Sequence, residues 1–279
     1  VFSVAARSQR WQVLLGQRGK FWTAFWAQGI GFLFTNTLPL RLGEVARVLV
    51  MSERAQIPLV QVAVTAVIER ALDVATTVML LLFVLPFMDV PPLVAQSGLT
   101  LGIVVLIGLI ALPFVVRYEK KVAALIAAVG KRISWLPVNG LLKRWDEFVV
   151  GLQPLTRPVS AISVFGWGAV SWFFSVMMFL CGLWVFMPSG TLIEAVFMIV
   201  TLAFAITVPS SPGFLGVYQA AGQFALATAF ATKYDLPTAL ACTMACWVGY
   251  YVTTTTIGAI GVTQVGASFG ELGRKLLAR

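Results

Sequence analysis

Four long apolar stretches constrain this chain more than any other feature of its sequence. They cover residues 58–88, 93–116, 159–187 and 238–262. A helix needs about 20 apolar residues to cross the hydrocarbon core of a bilayer, and each stretch is long enough. Hydrophobic residues make up 59% of the chain and charged residues only 11%, too few to cover a soluble fold. The sequence therefore predicts an all-α, polytopic membrane protein with a single integral membrane domain over residues 1–279.

Composition also limits the chemistry that the chain can perform. It contains no histidine, which excludes histidine general bases, Ser-His-Asp triads and histidine-ligated metals. Its cysteines, Cys181, Cys242 and Cys246, lie in apolar stretches, where small residues usually pack between helices. We therefore predict no metal, no cofactor and no enzymatic activity. The net charge of +9 comes with basic clusters between apolar stretches, which indicates an anionic membrane face and not a nucleic acid.

Loop charges predict the orientation in the membrane. Residues 117–157 hold eight Lys and Arg, residues 1–20 hold four, residues 267–279 hold three, and residues 87–92 hold none. Lys and Arg concentrate in cytoplasmic loops. We therefore expect the N-terminal stretch, the long central loop and the C-terminal tail to be cytoplasmic.

This orientation conflicts with a full crossing by residues 21–38, which would place the eight-charge loop outside. The conflict disappears if residues 21–55 form a re-entrant hairpin that turns at residues 36–39 and returns to the cytoplasm. Irregular backbone at membrane depth is tolerated only beside protein or a wet cavity. The hairpin therefore predicts a cavity.

A second interruption follows at residues 208–216, and residues 192–232 form either a hairpin from the outside or two full crossings. Both interruptions contain the pattern P-x-x-x-G, and an X-Pro pair opens a long helix after each. We predict an inverted repeat with halves at about 21–116 and 159–264, an arrangement that places broken helices near the midplane.

The connection at residues 117–157 reads as two short amphipathic helices, 121–129 and 141–152, at the cytoplasmic interface. A solvated basic loop is the alternative. The chain begins at Val1 without an initiator Met, and we expect the natural protein to continue upstream, with further helices.

Charged residues at predicted membrane depth are the candidate site. Such residues are costly there and normally face a bundle interior or a pathway. Glu44 and Arg47 are three apart and can pair, and Glu69 and Asp73 share one helix face from which Arg70 points away. In one account Arg41 and Arg47 bind a lipid phosphate, and in the other Arg47–Glu69 or Arg41–Asp73 pairs only lock the hairpin in place.

Both accounts can hold together, and we divide the residues between two roles. The predicted substrate-binding residues are Asn36, Arg41, Arg47, Asp73, Ser210 and Ser211. The predicted structural pairs and broken-helix positions are Pro39, Gly43, Glu44, Glu69, Arg70, Pro209, Pro212, Gly213 and Gly216. Half-helix N-termini after Pro39 and Pro212 present free N–H groups that suit a phosphate. We expect the tips 36–41 and 209–213 to meet in one polar cavity.

These motifs resemble a known family. Their order is N-x-x-P-x-R-x-G-E-x-x-R at 36–47, E-R-x-x-D at 69–73 and P-x-x-P-G-x-x-G at 209–216. Together they resemble the flippase-like membrane region of lysylphosphatidylglycerol synthases, a family that includes stand-alone bacterial and archaeal membrane proteins. The resemblance runs from about residue 10 to the last span. It implies a multi-helix lipid translocator in a prokaryotic cytoplasmic membrane, without the soluble synthase module.

The sequence departs from the family pattern in two places. Phe214 stands where a second Gly is common, and the segment Tyr218-Gln219 ends where a Glu often follows. The missing carboxylate argues against a cationic aminoacyl lipid as the substrate and against proton coupling.

The sequence thus predicts a lipid-binding membrane protein that moves a phospholipid or a lipid-linked sugar between leaflets. No P-loop is present, so transport would be passive or ion-coupled. The alternatives are an intramembrane transferase that uses Glu69 and Asp73 on a lipid head group, and a small-solute transporter. The expected partners are membrane lipids, with either a second copy of the chain or an enzyme that makes the lipid.

Overall fold

A computed structural model describes residues 1–38, 42–87, 114–132, 138–207 and 211–266, and isolated positions between 96 and 111. The helices of the described residues are α1 (Phe2–Leu14), α2 (Phe21–Thr37), α3 (Leu42–Ala55), α4 (Leu59–Val84), α5 (Glu119–Arg132), α6 (Val138–Thr156), α7 (Pro158–Phe186), α8 (Leu192–Ala205), α9 (Val217–Gln223) and α10 (Leu236–Gln264). Short 3₁₀ turns lie at Leu85–Phe87 and Pro212–Phe214, and a π-helical turn at Phe224–Thr228. The described residues contain no strand, so the all-α prediction is confirmed.

The first interrupted segment folds back on itself as a helical hairpin made of α2 and α3. Near the tip, the backbone at Gly43 touches the Gly31 carbonyl so closely that no side chain fits between them. At the other end, a Cβ placed on Gly19 would lie 3.1 Å from Cβ of Ala55. The start of α2 and the end of α3 therefore lie side by side.

The second interrupted segment also folds back, although its return arm is broken. Helix α8 begins with a capping box in which Thr191 and Glu194 satisfy each other's backbone N–H groups. The return arm consists of the 3₁₀ turn, the short α9 and the π-helical turn. The Tyr234 hydroxyl, beyond that arm, donates to Glu194 Oε2 at 2.6 Å, and Lys233 pairs with Oε1 at 2.7 Å.

Three helices of 26 to 29 residues, α4, α7 and α10, frame the two hairpins. Among the described helices, only α7 is both long enough and apolar enough by composition to cross a membrane. Helix α4 matches the predicted stretch 58–88 but carries Glu69, Arg70 and Asp73 near its centre. The predicted span 93–116 lies mostly outside the described residues.

Each hairpin packs against the long helix of the other half of the chain. Helix α2 packs along α10, and α8 packs along α4. Two hydrophobic clusters result: one surrounds the first hairpin with α1 and α6, and the other surrounds the second hairpin with α7. The described ends of the two interruptions thereby lie within one bundle.

The connecting helices α5 and α6 include the predicted segments 121–129 and 141–152. Helix α6 is part of the bundle, because a Cβ on Gly151 would lie 2.9 Å from a methyl group of Val64 on α4. Trp145 Nε1 donates to the Glu119 carbonyl at 3.2 Å and holds α5 against α6. A solvated loop is therefore the wrong interpretation for residues 141–152.

Helix α1 corrects a second expectation. The cytoplasmic side of residues 1–20 stays a prediction, but part of this basic stretch is a helix, α1, that packs against α7 inside the bundle. The Ser3 hydroxyl bonds that of Ser175 at 2.8 Å, and Arg10 is only 1% exposed. Counting Arg10 as a loop charge was wrong, because its guanidinium pairs with carboxylates in the interior.

Candidate functional site

Seven charged side chains from three helices and one glutamine meet in the interior of the bundle. We call this set the ion-pair cluster: Arg7, Arg10, Gln28, Glu44, Arg47, Glu69, Arg70 and Asp73. It lies where α1, α2, α3 and α4 converge. Seven charged side chains are more than the one or two ion pairs that would suffice to fix the hairpin to α4.

Glu69 is the centre of a fully buried layer of the ion-pair cluster. Its side chain has no exposed surface, and its oxygens accept from Arg10 Nη2 at 3.2 Å and Arg47 Nη1 at 2.6 Å. Gln28 Nε2 donates to both oxygens, at 3.2 and 3.3 Å, while Gln28 Oε1 accepts from Arg47. One carboxylate therefore holds two buried guanidiniums, which are 1% and 2% exposed.

The Glu44–Arg70 pair of the ion-pair cluster is open to the surroundings, and we call it the open layer. Arg70 Nη2 pairs with Glu44 Oε1 at 2.5 Å, with side-chain exposures of 41% and 36%. Asp73 accepts from Arg7 Nη1 at 3.0 Å and, on its other oxygen, from Arg10 Nη2 at 2.8 Å. The charges of the open layer are therefore partly exposed, while Asp73 and the buried layer lie in the interior.

The ion-pair cluster carries more positive than negative charge. Its four arginines face three carboxylates, which leaves a formal excess of one positive charge. Three buried guanidinium atoms, Arg10 Nε, Arg47 Nη2 and Arg70 Nε, have no hydrogen-bond partner in the described structure. Uncompensated buried charge is costly, so this arrangement favours an anionic ligand.

Small and aromatic residues make room for these arginines. A Cβ on Gly168 of α7 would lie 3.4 Å from Arg10 Nη1, so the glycine lets the guanidinium pack against the helix. The Arg47 guanidinium lies 4.9 Å from the centre of the Trp11 ring, a cation–π contact. Trp11 Nε1 in turn donates to Thr65 Oγ1 at 3.0 Å.

The described ends of the two tips meet, as the sequence predicted. A Cβ on Gly213 would lie 3.4 Å from the Asn36 carbonyl oxygen. Trp247 Nε1 of α10 donates to the Gly213 carbonyl at 2.8 Å. Asn36 Nδ2 donates to Thr254 Oγ1 at 3.0 Å and to Thr255 Oγ1 at 2.9 Å, which fixes the first tip to α10.

The second tip has an unusual backbone. Gly213 and Gly216 have φ angles of +63° and +87°, and Phe214 has +59°. Positive φ costs an L side chain about 1–3 kcal/mol, which explains why glycine suits the position of Phe214. Phe214, where this sequence departs from the family pattern, thus has a left-handed backbone conformation.

Several predicted site residues can now be placed. The prediction that Arg47 is buried and paired with Glu44 or Glu69 is confirmed, because it pairs with both, at 2.7 and 2.6 Å. Arg70 was predicted to point away from Asp73, which is wrong: it lies 3.6 Å from Asp73. The Ser211 hydroxyl donates to the Leu215 carbonyl at 2.6 Å and closes the tip.

Other predicted residues fall outside the described part of the chain: Pro39, Arg41, Pro209 and Ser210. Sequence reasoning missed Arg7, Arg10 and Gln28, which supply much of the buried layer. The spacing of Arg7 and Arg10, three apart beside Trp11, was the available signal. The binding roles assigned to Asn36, Asp73 and Ser211 stay predictions.

The described residues thus form a helical bundle with a partly open ion-pair cluster between interrupted helices. The family model described as the lysylphosphatidylglycerol synthase TM region matches residues 1–258 of this chain. The chain belongs to this family and is a membrane protein. No curated protein and no solved structure matches it.

Proposed function

We propose that this protein binds a phosphate-bearing membrane lipid by its head group and moves it between the leaflets. The observation that carries the proposal is the excess positive charge of the ion-pair cluster together with its open layer. A lipid phosphate would supply the missing negative charge, and its acyl chains would stay in the bilayer. Transport would be passive or ion-coupled.

The architecture that we propose is an inverted repeat of two re-entrant hairpins. The reciprocal packing of α2 on α10 and of α8 on α4 supports it, because a pseudo-twofold relation would produce such exchanged pairs. The meeting of the two tips supports a shared polar path near the midplane. Each hairpin tip would then face the path by which a lipid head group enters from one side of the membrane.

Transferase chemistry has less support. A general acid or base must have an oxygen free to reach the substrate proton. Glu69 is fully buried and accepts hydrogen bonds from Arg10, Gln28 and Arg47. Both oxygens of Asp73 are likewise occupied, by Arg7 and Arg10. We therefore propose that these carboxylates position the arginines and perform no catalysis.

Replacing Arg70 by Gln should slow lipid transfer by at least about tenfold, because a charge-assisted contact to a phosphate contributes about 1.5–3 kcal/mol. The measurement is the loss of a fluorescent short-chain phospholipid from the outer leaflet of reconstituted vesicles. Thermal stability should change little, since Arg70 is 41% exposed on its side chain.

Arg144→Gln is the matched control, because Arg144 is exposed on α6 away from the ion-pair cluster. It should transfer lipid at the unchanged rate. Equal transfer by Arg70→Gln and the unsubstituted protein would contradict the role of the open layer. No transfer above empty vesicles by the unsubstituted protein would contradict the proposed function itself.

The orientation gives a separate prediction. Both ends of the first hairpin should lie on the cytoplasmic side, because the exposed Arg18 and Lys20 precede α2 and the exposed Arg54 lies at the end of α3. Single cysteines introduced at Ser52 and Gln56 should therefore resist an impermeant thiol reagent in intact cells and react in inverted vesicles. Labelling in intact cells would show that residues 21–55 reach the outside.

A further inference from the structure

A groove lies at the base of the first hairpin, where α2 begins and α3 and α10 end. It has a volume of about 830 Å³ and is lined by Lys20, Trp22, Trp26, Arg54 and Gln264, among others. It is separate from the ion-pair cluster. Arg54 follows Arg47 by two helical turns on α3, about 10 Å along the axis, and the fully buried Met51 lies between them.

The described residues that line this groove carry only positive charge. Lys20 and Arg54 are exposed, and the side chain of neither forms an ion pair within the described residues. None of the described residues that line the groove is a carboxylate. The Arg54 guanidinium extends toward the end of α10, where a Cβ on Gly266 would lie 3.8 Å from Nη2.

The wall of the groove is aromatic. The Trp22 and Trp26 rings are stacked with centroids 6.0 Å apart, and Phe21 and Phe25 pack against them. Trp22 is 60% exposed, so its ring is available to an apolar ligand. Tryptophans beside basic residues are typical of the depth at which lipid head groups meet acyl chains.

We propose that this groove is a second lipid site, which holds the phosphate of an anionic phospholipid between Lys20 and Arg54. The tryptophans contact the glycerol and the first acyl carbons. A free phosphate would use the two cations but not the tryptophan wall, so the exposed wall selects a lipid as the occupant. Occupation would fasten the two ends of the hairpin together, because Lys20 precedes α2 and Arg54 belongs to α3.

The chain provides a matched comparison at the groove between α5 and α6. The groove between α5 and α6 has a volume of about 180 Å³ and contains Lys120, but Glu119 and Asp146 line it as well. Its positive charge is therefore offset locally, and we expect no anion to be held there. Lys120 and Arg144 are both exposed, so their replacement removes the same charge from the surface.

The experiment is native mass spectrometry of the purified protein with phosphatidic acid or phosphatidylcholine added in detergent. The unsubstituted protein should retain phosphatidic acid over phosphatidylcholine. The double variant Lys20→Gln/Arg54→Gln should bind phosphatidic acid about thirtyfold more weakly, since each basic group near an anionic surface contributes roughly 1 kcal/mol. The control Lys120→Gln/Arg144→Gln should bind it unchanged.

Equal losses in the two double variants would overturn the site in favour of a general charge effect. Competition by inorganic phosphate at the same concentration as the lipid would overturn the choice of a lipid. Trp22→Ala should weaken the binding of phosphatidic acid and leave the binding of inorganic phosphate unchanged. Weaker phosphate binding together with unchanged phosphatidic acid binding would also overturn the choice of a lipid. Since binding here does not require lipid transfer, failure of the proposed function would leave these outcomes unaffected.

Discussion

Replacing Glu69 by Gln should destabilise the protein more than any other single change in the ion-pair cluster, by about 3–5 kcal/mol. Glu69 is fully buried, and both of its oxygens accept hydrogen bonds from donors on other helices. A Gln side chain would turn an NH₂ group toward Arg10 or Arg47, so that donor would face donor. Two buried guanidiniums would also lose their shared counter-charge.

The measurement is the midpoint of thermal unfolding in detergent, followed by size-exclusion chromatography. Asp146→Asn serves as the control, because it removes one carboxylate from an exposed position of α6. The double variant Glu69→Gln/Arg10→Gln should lose less than the two single losses added together, since the pair interacts directly. Additive losses, or a Glu69→Gln protein as stable as the Asp146→Asn control, would show that Glu69 does not hold the cluster.

Replacing Gly43 by Ala should cost at least about 1–3 kcal/mol and reduce lipid transfer as well. A methyl group there would overlap the Gly31 carbonyl and the Thr35 hydroxyl, and it would lie 2.7 Å from the Thr35 backbone nitrogen. Because two of these atoms belong to the backbone, α2 and α3 must separate. Arg47 lies one turn further along α3, so its 2.6 Å contact with Glu69 should lengthen.

Gly166→Ala is the control for the Gly43 variant. Gly166 lies inside α7, and a Cβ there would meet nothing within 4 Å. Alanine is favoured over glycine in a helix by up to about 1 kcal/mol, so this variant should be as stable as the unsubstituted protein or slightly more stable. If both glycine variants behave alike, the close approach of α2 and α3 does not determine stability.

The sequence was sufficient for much of the fold because apolar stretch length and Pro-Gly interruptions are local signals. They predicted the long helices α4, α7 and α10 and the interruptions at which the chain turns back. The pairing of Arg47 with Glu44 was also predictable, since residues three apart on a helix lie side by side. Its pairing with Glu69 was predicted from the cost of a lone charge at depth.

The rest of the site depends on contacts that are distant in the sequence. Arg10 reaches Glu69 across 59 residues, and its spacing from Arg7 beside Trp11 does not reveal which carboxylate it meets. Gln28 has no charge, so a search for buried charges passes over it, although it bonds both Glu69 and Arg47. Arg70 was misplaced although it stands three residues before Asp73 on α4, a spacing at which helical side chains lie side by side.

The central claim is that a lipid head group enters the open layer of the ion-pair cluster. Photolabelling with a phospholipid that carries a diazirine in its head group tests it most directly, with the adducts located by peptide mass spectrometry in reconstituted vesicles. The account predicts adducts on the peptides that contain Glu44 and Arg70, reduced by excess unlabelled lipid. Adducts confined to outward-facing residues of α7, such as the exposed Phe173 and Val185, would contradict it.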